Sequence, residues 1–523
     1  MSTLPAMPSR QHILRGSLMV GSFTLLGSLT GILVETTIAA RLGLSAHSDT
    51  FYVAFTIPNV IITLIYASGQ FSLVPFFAPL DLQKSGDQLW HRFSYAVSAI
   101  FLGMAAIALV GAAFSPWIVR GLAPGLTLEQ SQVAGKLARW LFIIIVPAGI
   151  AEIFRSFLLS QNRFGLASSV AFVRNVTIIS CIVFGFSRYG YASIVCGYIA
   201  GYLVQFLFLG AQIWIAFPVR YSATLRGSDE GFRHLRGAGV SQVTTAVAWQ
   251  GLVIVERMIA SFLPPGTITA LNYGYKILAT LSELLAGSVG TAALPALSRA
   301  VATPAREERQ RTFRTTLEIS LVLVSPVTVF CLLLSRNIIR LLFERGRFTP
   351  EATALMGEVL FYYSLSLVLF AGVRILTFFL FARHESSQYV RLCLFQYGLT
   401  AAFDLLYVGG LRMGAKGIPL AMLTSLLITC GLAYRRNLAE LRLSLDRSLG
   451  IFAVKNLLGS TLAALAMWAL RLRLPPPVTG WANFVYLCAL CGTGSLVFLS
   501  ALLISRAVPM KELLGLWKPR TDS

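Results

Sequence analysis

Long apolar runs recur from one end of this 523-residue chain to the other. Each run of about 20 or more residues, formed as a helix, is long enough to cross the roughly 30 Å hydrocarbon core of a bilayer. Hydrophobic residues make up 56% of the chain and charged residues only 12%, with a mean hydropathy of +0.72. A string of soluble domains is therefore excluded, and the sequence predicts an all-α polytopic membrane protein.

The hydropathy pattern divides the chain into about fourteen transmembrane helices. We predict spans at residues 17–40, 50–79, 93–116, 134–159, 165–186, 191–216, 239–262, 270–296, 314–334, 353–381, 389–408, 414–434, 450–470 and 482–505. The second, eighth and tenth spans are long and carry polar residues.

Arginines between the spans set the predicted orientation. They cluster after the sixth, eighth and twelfth spans and in the C-terminal tail, all on one side of the membrane. The loop after the sixth span, for example, contains Arg220, Arg226, Arg233 and Arg236. Because short cytoplasmic loops retain positive charge, both termini are predicted to be cytoplasmic. This distribution accounts for the formal charge of +21, and no nucleic-acid partner is expected.

One segment departs from this charge distribution. The sequence RNIIRLLFERGRFTPEAT follows the ninth span and places Arg336, Arg340, Arg345 and Arg347 on the outside. The majority of the basic loops still decides the predicted orientation.

The chain contains an internal repeat. The stretch from Gly31 to Pro75 and the stretch from Leu252 to Pro295 each join two apolar helices and end at a proline, with Glu35 and Glu256 at matching places. We predict a six-helix lobe at 1–216, a basic cytoplasmic loop at 217–238, a second six-helix lobe at 239–436, and two extra helices with a tail at 437–523. An even number of spans per repeat relates the lobes by a pseudo-twofold axis along the membrane normal.

Two polar stripes run at helical spacing along equivalent spans of the two halves. The stripe of the second span consists of Asp49, Tyr52, Thr56, Asn59 and Thr63. The stripe of the eighth span consists of Asn272, Tyr273, Lys276, Thr280 and Glu283. Ionisable residues at bilayer depth are costly and mark candidate functional sites. The alternative is that these side chains, such as Lys276 with Glu283, only hold the bundle together.

The polar residues of these helices suggest two roles. Cations at membrane depth can hold an anionic head group such as a phosphate; with their polar neighbours, the candidate substrate-binding residues are Lys276, Arg257, Arg374, Asn59, Asn272 and Tyr273. Carboxylates at membrane depth can take up H⁺ or Na⁺ or gate the lobes, and the candidates are Glu35, Asp49, Glu256 and Glu283. Glu152 and Arg155 lie one turn apart and are expected to pair, whereas Asp404 is expected to be exposed at the interface.

No motif in the chain indicates an enzyme. There is no phosphate-binding loop of Walker type, no HExxH pair and no nucleophile elbow. The seven cysteines show no metal-site spacing. No cofactor or metal is therefore expected, apart from a coupling ion (H⁺ or Na⁺) or the membrane potential. Two alternatives stay open: an exporter of cationic drugs of the MATE type, and a glycan polymerase or ligase that would use Glu344.

Four motifs resemble those of the MviN/MurJ family of lipid II flippases. They are SDTFYVAFTIPNVI, ASFLPPGTITALNYGYKI, LPALSR at 294–299 and LLFERGRFT at 341–349. The resemblance implies a two-lobed bundle in the bacterial inner membrane, with a cavity lined by the first, second, seventh and eighth spans. It also implies that the protein moves a polyprenyl-pyrophosphate-linked saccharide, lipid II above all, to the outer leaflet by alternating access. We expect the protein to be a monomer. The last two spans would then form a groove for the polyprenyl tail.

The chain departs from the family pattern at several cavity positions. The first-span arginines of the family correspond here to Ser28 and Val34, and the basic pair of the second span to Ile62 and Thr63. The family has an acidic residue followed by an arginine in the eighth span. This chain has Tyr275 and Lys276 there, so only the positive charge is kept. A flippase for another polyprenyl-linked glycan, of an exopolysaccharide or O-antigen, is therefore the alternative cargo assignment.

Overall fold

A computed structural model describes residues 10–78, 86–161, 163–225, 240–303, 305–383, 385–441, 447–474, 477 and 480–505, and all regular elements in these ranges are helices. The helices up to the middle of the chain are α1 (Arg10–Leu42), α2 (Ala46–Ser68), α3 (Val74–Phe77), α4 (Gly86–Leu122), α5 (Leu128–Leu141), α6 (Ile145–Ser160), α7 (Phe164–Tyr189), α8 (Tyr191–Ala216) and α9 (Val240–Ala260). The remaining helices are α10 (Thr267–Ser282), α11 (Ser288–Ala302), α12 (Arg306–Phe343), α13 (Pro350–Ser364), α14 (Leu367–Ala382), α15 (Ser386–Asp404), α16 (Gly417–Leu441), α17 (Arg447–Arg473) and α18 (Gly480–Ile504).

The predicted membrane spans are confirmed. Thirteen helical segments of the described chain are long and apolar enough to cross a bilayer. The helices α13 and α14, which meet at a 44° bend, pass the same test only as a pair and bring the total to fourteen when the pair is counted as one broken span. That bend falls inside the long tenth span of the prediction. The fold class is therefore an all-α polytopic membrane protein.

Local sequence signals set where several helices begin and end. Ser45 caps α2 in a reciprocal pair with Ser48, and Thr127 caps α5 with Gln130 in the same way. Each pair satisfies backbone N–H groups that have no partner within the helix. Between α7 and α8, Gly190 has φ +52°, a left-handed conformation that glycine adopts without steric cost.

The chain folds into two compact units, Met1–Thr269 and Ala270–Ser523. This division differs from the predicted lobes, because α9 belongs to the first unit instead of opening the second. The reason lies in its packing: α9 lies against α2 and α4, and the Ser261 hydroxyl at its end accepts a hydrogen bond from the Gly125 N–H at 3.0 Å. The predicted division into two six-helix lobes, a basic loop and two extra helices stays a prediction.

The first unit is held by an aromatic cluster and a polar bridge. Phe77, Trp90, Phe93 and Phe157 pack together, with Phe93 and Phe157 in an edge contact at 5.1 Å. In α7, the Asn175 amide donates to the Gly27 carbonyl at 3.0 Å and to the Thr30 hydroxyl at 3.2 Å. These contacts fasten α7 to α1, since a buried amide is costly unless its donors are satisfied.

The second unit is built around the 38-residue helix α12, which packs against α11, α13, α14, α17 and α18. Its contacts with the last two helices include a polar pair, in which the Asn456 amide donates to the Ser325 hydroxyl at 2.7 Å. Leu334, Met467 and Leu490 form an apolar cluster at the same junction. The two extra helices are thus packed into the second unit.

Part of the charge pattern used for orientation lies outside the described residues. This applies to Arg226, Arg233 and Arg236 and to the C-terminal tail from residue 506. Within the described part of the basic loop, Arg220 pairs with Asp87 at 3.2 Å, with side chains 75% and 92% exposed. An ion pair this exposed contributes little stability.

Candidate functional site

In the first unit, Glu35 lies inside the helix pair α1–α2. Its side chain is buried, with a residue exposure of 6%, and its carboxylate accepts a hydrogen bond from the Tyr52 hydroxyl. Both residues belong to membrane-spanning helices. The bond joins a carboxylate to a phenol and ties α1 to α2.

Asp49 is the most fully bonded carboxylate of the predicted set. Its Oδ2 accepts from the Gly266 N–H at 2.6 Å, and its Oδ1 accepts from the N–H and the hydroxyl of Thr269 at 2.8 and 2.7 Å. These donors stand at the beginning of α10. Asp49 therefore caps that helix from α2, and its negative charge is favoured by the positive end of the helix dipole.

The backbone at this cap requires glycine. Gly266 has φ +91°, and a Cβ placed there would lie 2.9 Å from the Leu44 carbonyl carbon. Both the dihedral angle and the close approach exclude other residues without strain. Gly266 and Thr269 were missed as functional residues by sequence reasoning, although the PPGT sequence, with Gly and Thr at a helix start, is a capping signal that could have indicated them.

Glu256 and Arg257 are adjacent near the end of α9. Arg257 donates from a terminal guanidinium nitrogen to the Ile268 carbonyl at 2.9 Å, so it is directed toward the same turn that Asp49 caps. Glu256 is only partly buried. Arg257 thus ties the end of α9 to the start of α10.

In the second unit, α10 has a polar face that is partly exposed. Asn272, Lys276 and Thr280 are partly exposed and follow one another at helical spacing. Tyr273 lies on the opposite face, is 1% exposed, and stacks on Phe343 at 5.1 Å. Of the predicted substrate contacts on this helix, Asn272 and Lys276 therefore lie on the partly exposed face, and Tyr273 packs inside the unit.

Glu283 forms an ion pair with Arg374 of α14, and not the Lys276–Glu283 pair that the spacing suggested. The two side chains are 57% and 42% exposed, although both belong to segments that are apolar enough to span a membrane. Charged groups in contact with lipid at this depth are strongly disfavoured. The face that carries Lys276, Glu283 and Arg374 therefore borders water or a polar ligand; we call it the α10–α14 face.

Both helices with polar stripes contain a π-helical turn, at Gly69–Leu73 after α2 and at Glu283–Gly287 after α10. Such turns occur often at functional sites. Each lies beside a Glu–Arg pair. In the first unit this pair is the predicted Glu152–Arg155 pair, which is confirmed by two hydrogen bonds of 2.7 and 2.6 Å.

The two Glu–Arg pairs differ in their surroundings. Glu152 is 1% exposed and Arg155 27%, so the pair of the first unit is internal. A Cβ at Gly69 would lie 2.2 Å from a Glu152 carboxylate oxygen, which shows how closely the π turn approaches it. The pair of the second unit is exposed, with side-chain exposures of 57% and 42%.

The remaining predicted positions are placed as follows. Asn59 is exposed on α2, farther along the stripe than the buried Asp49. Asp404 was expected at the interface with its side chain exposed, and this expectation is wrong: its exposure is 0%. It ends α15 immediately before a π-helical turn, where helix packing encloses it. No cluster of metal-ligating side chains occurs among the described residues.

Comparison with protein families gives a match over most of the chain. The family model described as "Lipid II flippase MurJ" matches residues 38–487. The lipid II flippase MurJ of Burkholderia cenocepacia is 27% identical over 447 residues, which cover 81% of this chain and 84% of that protein. The probable lipid II flippase MurJ of Rickettsia prowazekii is 24% identical over 462 residues, with coverage of 87% and 89%.

Solved structures with a similar fold include a lipid II flippase MurJ in an inward closed conformation. It superposes with a TM-score of 0.77 at 20% identity and covers 94% of this chain and 99% of its own. An inward-facing multidrug transporter of the MATE family and MOP superfamily gives a TM-score of 0.66 at 14% identity, covering 82% of this chain and 99% of its own. These likenesses concern the fold.

Proposed function

Since the chain belongs to the lipid II flippase MurJ family, we propose that it moves lipid II from the inner to the outer leaflet of the bacterial inner membrane by alternating access. It acts as a monomer with both termini in the cytoplasm. The observation that carries the cargo assignment is the α10–α14 face, where the exposed Glu283–Arg374 pair and the partly exposed Lys276 lie in segments apolar enough to span a membrane. Such a face suits the anionic, strongly hydrated head group of a lipid-linked pyrophosphate.

Lys276 is the main contact of the pyrophosphate. Its ammonium is a compact point charge that a phosphate oxygen can approach from several directions. Asn272 and Thr280 lie one turn to either side of it on the same face and supply neutral hydrogen bonds to phosphate or sugar. Arg374 joins when its bond to Glu283 is exchanged for one to the ligand, since both partners are already exposed.

The first-span arginines expected from the family are absent, so those two positions provide no cation for the pyrophosphate. Ser28 and Val34 stand at those positions, and Arg257 is engaged with the Ile268 carbonyl. The pyrophosphate therefore binds on the second unit. The polyprenyl tail follows the apolar surface of α17 and α18, where Leu457 and Leu496 are 67% and 68% exposed.

Glu35, Asp49 and Glu256 couple and gate the cycle, which an ion gradient or the membrane potential drives. Glu35 and Asp49 hold helix contacts that must break or reform when helices move. Glu256 is the partly exposed carboxylate of the three and is the one that binds the coupling ion, H⁺ or Na⁺.

Lys276→Ala should reduce lipid II translocation by about 10- to 100-fold, the loss expected when one charge-assisted hydrogen bond of about 1.5–3 kcal/mol is removed. Translocation is measured in proteoliposomes and by complementation of a flippase-depleted strain. Lys276→Arg should retain most of the activity. Lys136→Ala is the matched control, because Lys136 is an exposed lysine of α5 and should be silent.

Normal complementation by Lys276→Ala at wild-type membrane abundance would refute the pyrophosphate contact.

Depletion of the protein should cause lipid II to accumulate in the inner leaflet. Accumulation of a different polyprenyl-linked glycan would refute lipid II as the cargo while retaining the flippase mechanism.

Glu256→Gln should abolish the acceleration of translocation by an imposed H⁺ or Na⁺ gradient, because the amide keeps the shape of the side chain but binds no cation. Rates are compared in proteoliposomes with and without each gradient. Glu358→Gln, which alters an exposed carboxylate of α13, should leave the acceleration unchanged. If the Glu256 variant still responded fully to the gradient, its role in coupling would be disproved.

A further inference from the structure

A cavity of about 540 Å³ lies where the end of α12 meets the beginning of α18. Its lining includes Arg340, Glu344, Arg345, Trp481 and Phe484, which we call the arginine–tryptophan corner. Both arginines, Arg340 and Arg345, belong to the segment after the ninth predicted span. Its positive charge departs from the distribution expected for an external loop. The proposed function gives this corner no role.

The walls of the corner are fixed to each other by polar contacts. The Asn337 and Asn483 side chains join α12 to α18: the Asn337 amide donates to the Asn483 side-chain oxygen at 3.0 Å, and the Asn483 amide donates to the Asn337 carbonyl at 2.9 Å. Arg340 donates to the Pro477 carbonyl at 3.1 Å. Because both helix ends are held by these contacts, the cavity between them is a built feature of the second unit.

The charges of the corner are only partly compensated. Glu344 accepts from Arg340 at 3.3 Å and from the Thr353 hydroxyl at 2.6 Å, so its carboxylate is engaged. Arg345 is exposed and donates to the Leu341 carbonyl at 3.0 Å. It forms no ion pair with any carboxylate of the described chain. One guanidinium is therefore positioned at the cavity with donors left for an anion.

Aromatic side chains form the other side of the corner. Trp481 and Phe484 are stacked at 5.5 Å and are 74% and 42% exposed. Exposed tryptophan beside arginine at the end of membrane helices is typical of the head-group level of a bilayer. A soluble anion would contact the guanidinium of Arg345 but not the aromatic rings. A phospholipid can contact both, with its phosphate on the guanidinium and its glycerol and acyl carbons on the rings.

We propose that the arginine–tryptophan corner binds a phosphate-bearing anionic membrane lipid of the outer leaflet. Arg345, with Arg340 beside it, holds the phosphate by charge-assisted hydrogen bonds. Trp481, Phe484 and Leu341 contact the glycerol and the first acyl carbons. A negative lipid at this place compensates the external arginines and bridges α12 to α18. The binding does not depend on which glycan lipid is transported.

The test uses the purified full-length protein in nanodiscs and native mass spectrometry. Dioleoyl phosphatidylglycerol is titrated against dioleoyl phosphatidylcholine, and the retained lipids are counted. Arg345→Gln should weaken the tightest phosphatidylglycerol binding about tenfold, and Arg345→Lys should lose less. Arg347→Gln is the matched control, because Arg347 is an exposed arginine of the same loop that does not line the cavity; it should bind as the wild type does.

Two further arms separate the sources of phosphate. Inorganic phosphate at millimolar concentration should not displace the bound phosphatidylglycerol, and undecaprenyl pyrophosphate should not displace it either. Displacement by the first would identify a simple anion site, and displacement by the second a substrate site; either result overturns the proposal. Equal retention of the two phospholipids, or an equal loss in Arg347→Gln, overturns it as well.

Discussion

Asp49→Ala should destabilise the protein by about 3–5 kcal/mol, because it strips three hydrogen bonds to a buried carboxylate and leaves their donors without an acceptor. The donors are the N–H groups of Gly266 and Thr269 and the Thr269 hydroxyl. Asp49 is 4% exposed, so water cannot replace it without opening the contact between α2 and the start of α10. Lipid II translocation should fall together with stability.

Unfolding of the detergent-solubilised protein, followed by far-ultraviolet circular dichroism in rising denaturant, measures this loss. Asp49→Asn keeps an acceptor oxygen and should be affected less than Asp49→Ala. Glu129→Ala is the control, because Glu129 also lies in the first turn of a helix but is exposed. This change should lower the free energy of unfolding by only about 0.3–1 kcal/mol, the size of its interaction with the helix dipole. Equal losses for Asp49→Ala and Glu129→Ala would show that the cap is not a structural tie.

Arg155→Ala should also cost about 3–5 kcal/mol, the penalty for leaving one member of a buried ion pair alone. Glu152 is 1% exposed and receives two hydrogen bonds from Arg155. The π turn at Gly69 approaches so closely that there is little room for water to replace the guanidinium. The same denaturation measurement applies.

A double-mutant cycle separates the pair from its surroundings. Replacing Glu152 and Arg155 together by alanine should cost less than the sum of the two single changes, because the double variant leaves no unpaired charge. Arg220→Ala breaks the exposed pair with Asp87 and should change stability by less than about 1 kcal/mol. Strict additivity of the Glu152 and Arg155 changes would contradict the coupling.

Several features could be predicted from local sequence because they depend on neighbours along the chain. Helical spacing placed Glu152 and Arg155 one turn apart, and the structure joins them. The apolar runs indicated fourteen spans, and the described helices supply thirteen and the bent pair. The four family motifs indicated a membership that a match over residues 38–487 confirms.

Other features depend on which helices meet, and spacing does not contain this information. Lys276 and Glu283 are two turns apart, yet Glu283 pairs with Arg374, 91 residues away. Tyr273 belongs to the polar stripe by sequence but faces Phe343. Asp404 stands near a helix end, where exposure is the usual outcome, yet packing encloses it.

The sequence by itself determined that this chain is a helical membrane protein with costly polar groups at bilayer depth, because hydropathy and helical period are properties of consecutive residues. Only the tertiary structure determined which of those polar groups form contacts between helices and which remain exposed. Asp49 is enclosed by donors from a segment 217 and 220 residues away, whereas Lys276 is partly exposed and the paired side chains of Glu283 and Arg374 are 57% and 42% exposed. The physical reason is that burial and pairing are set by the neighbouring helices, which no local pattern specifies.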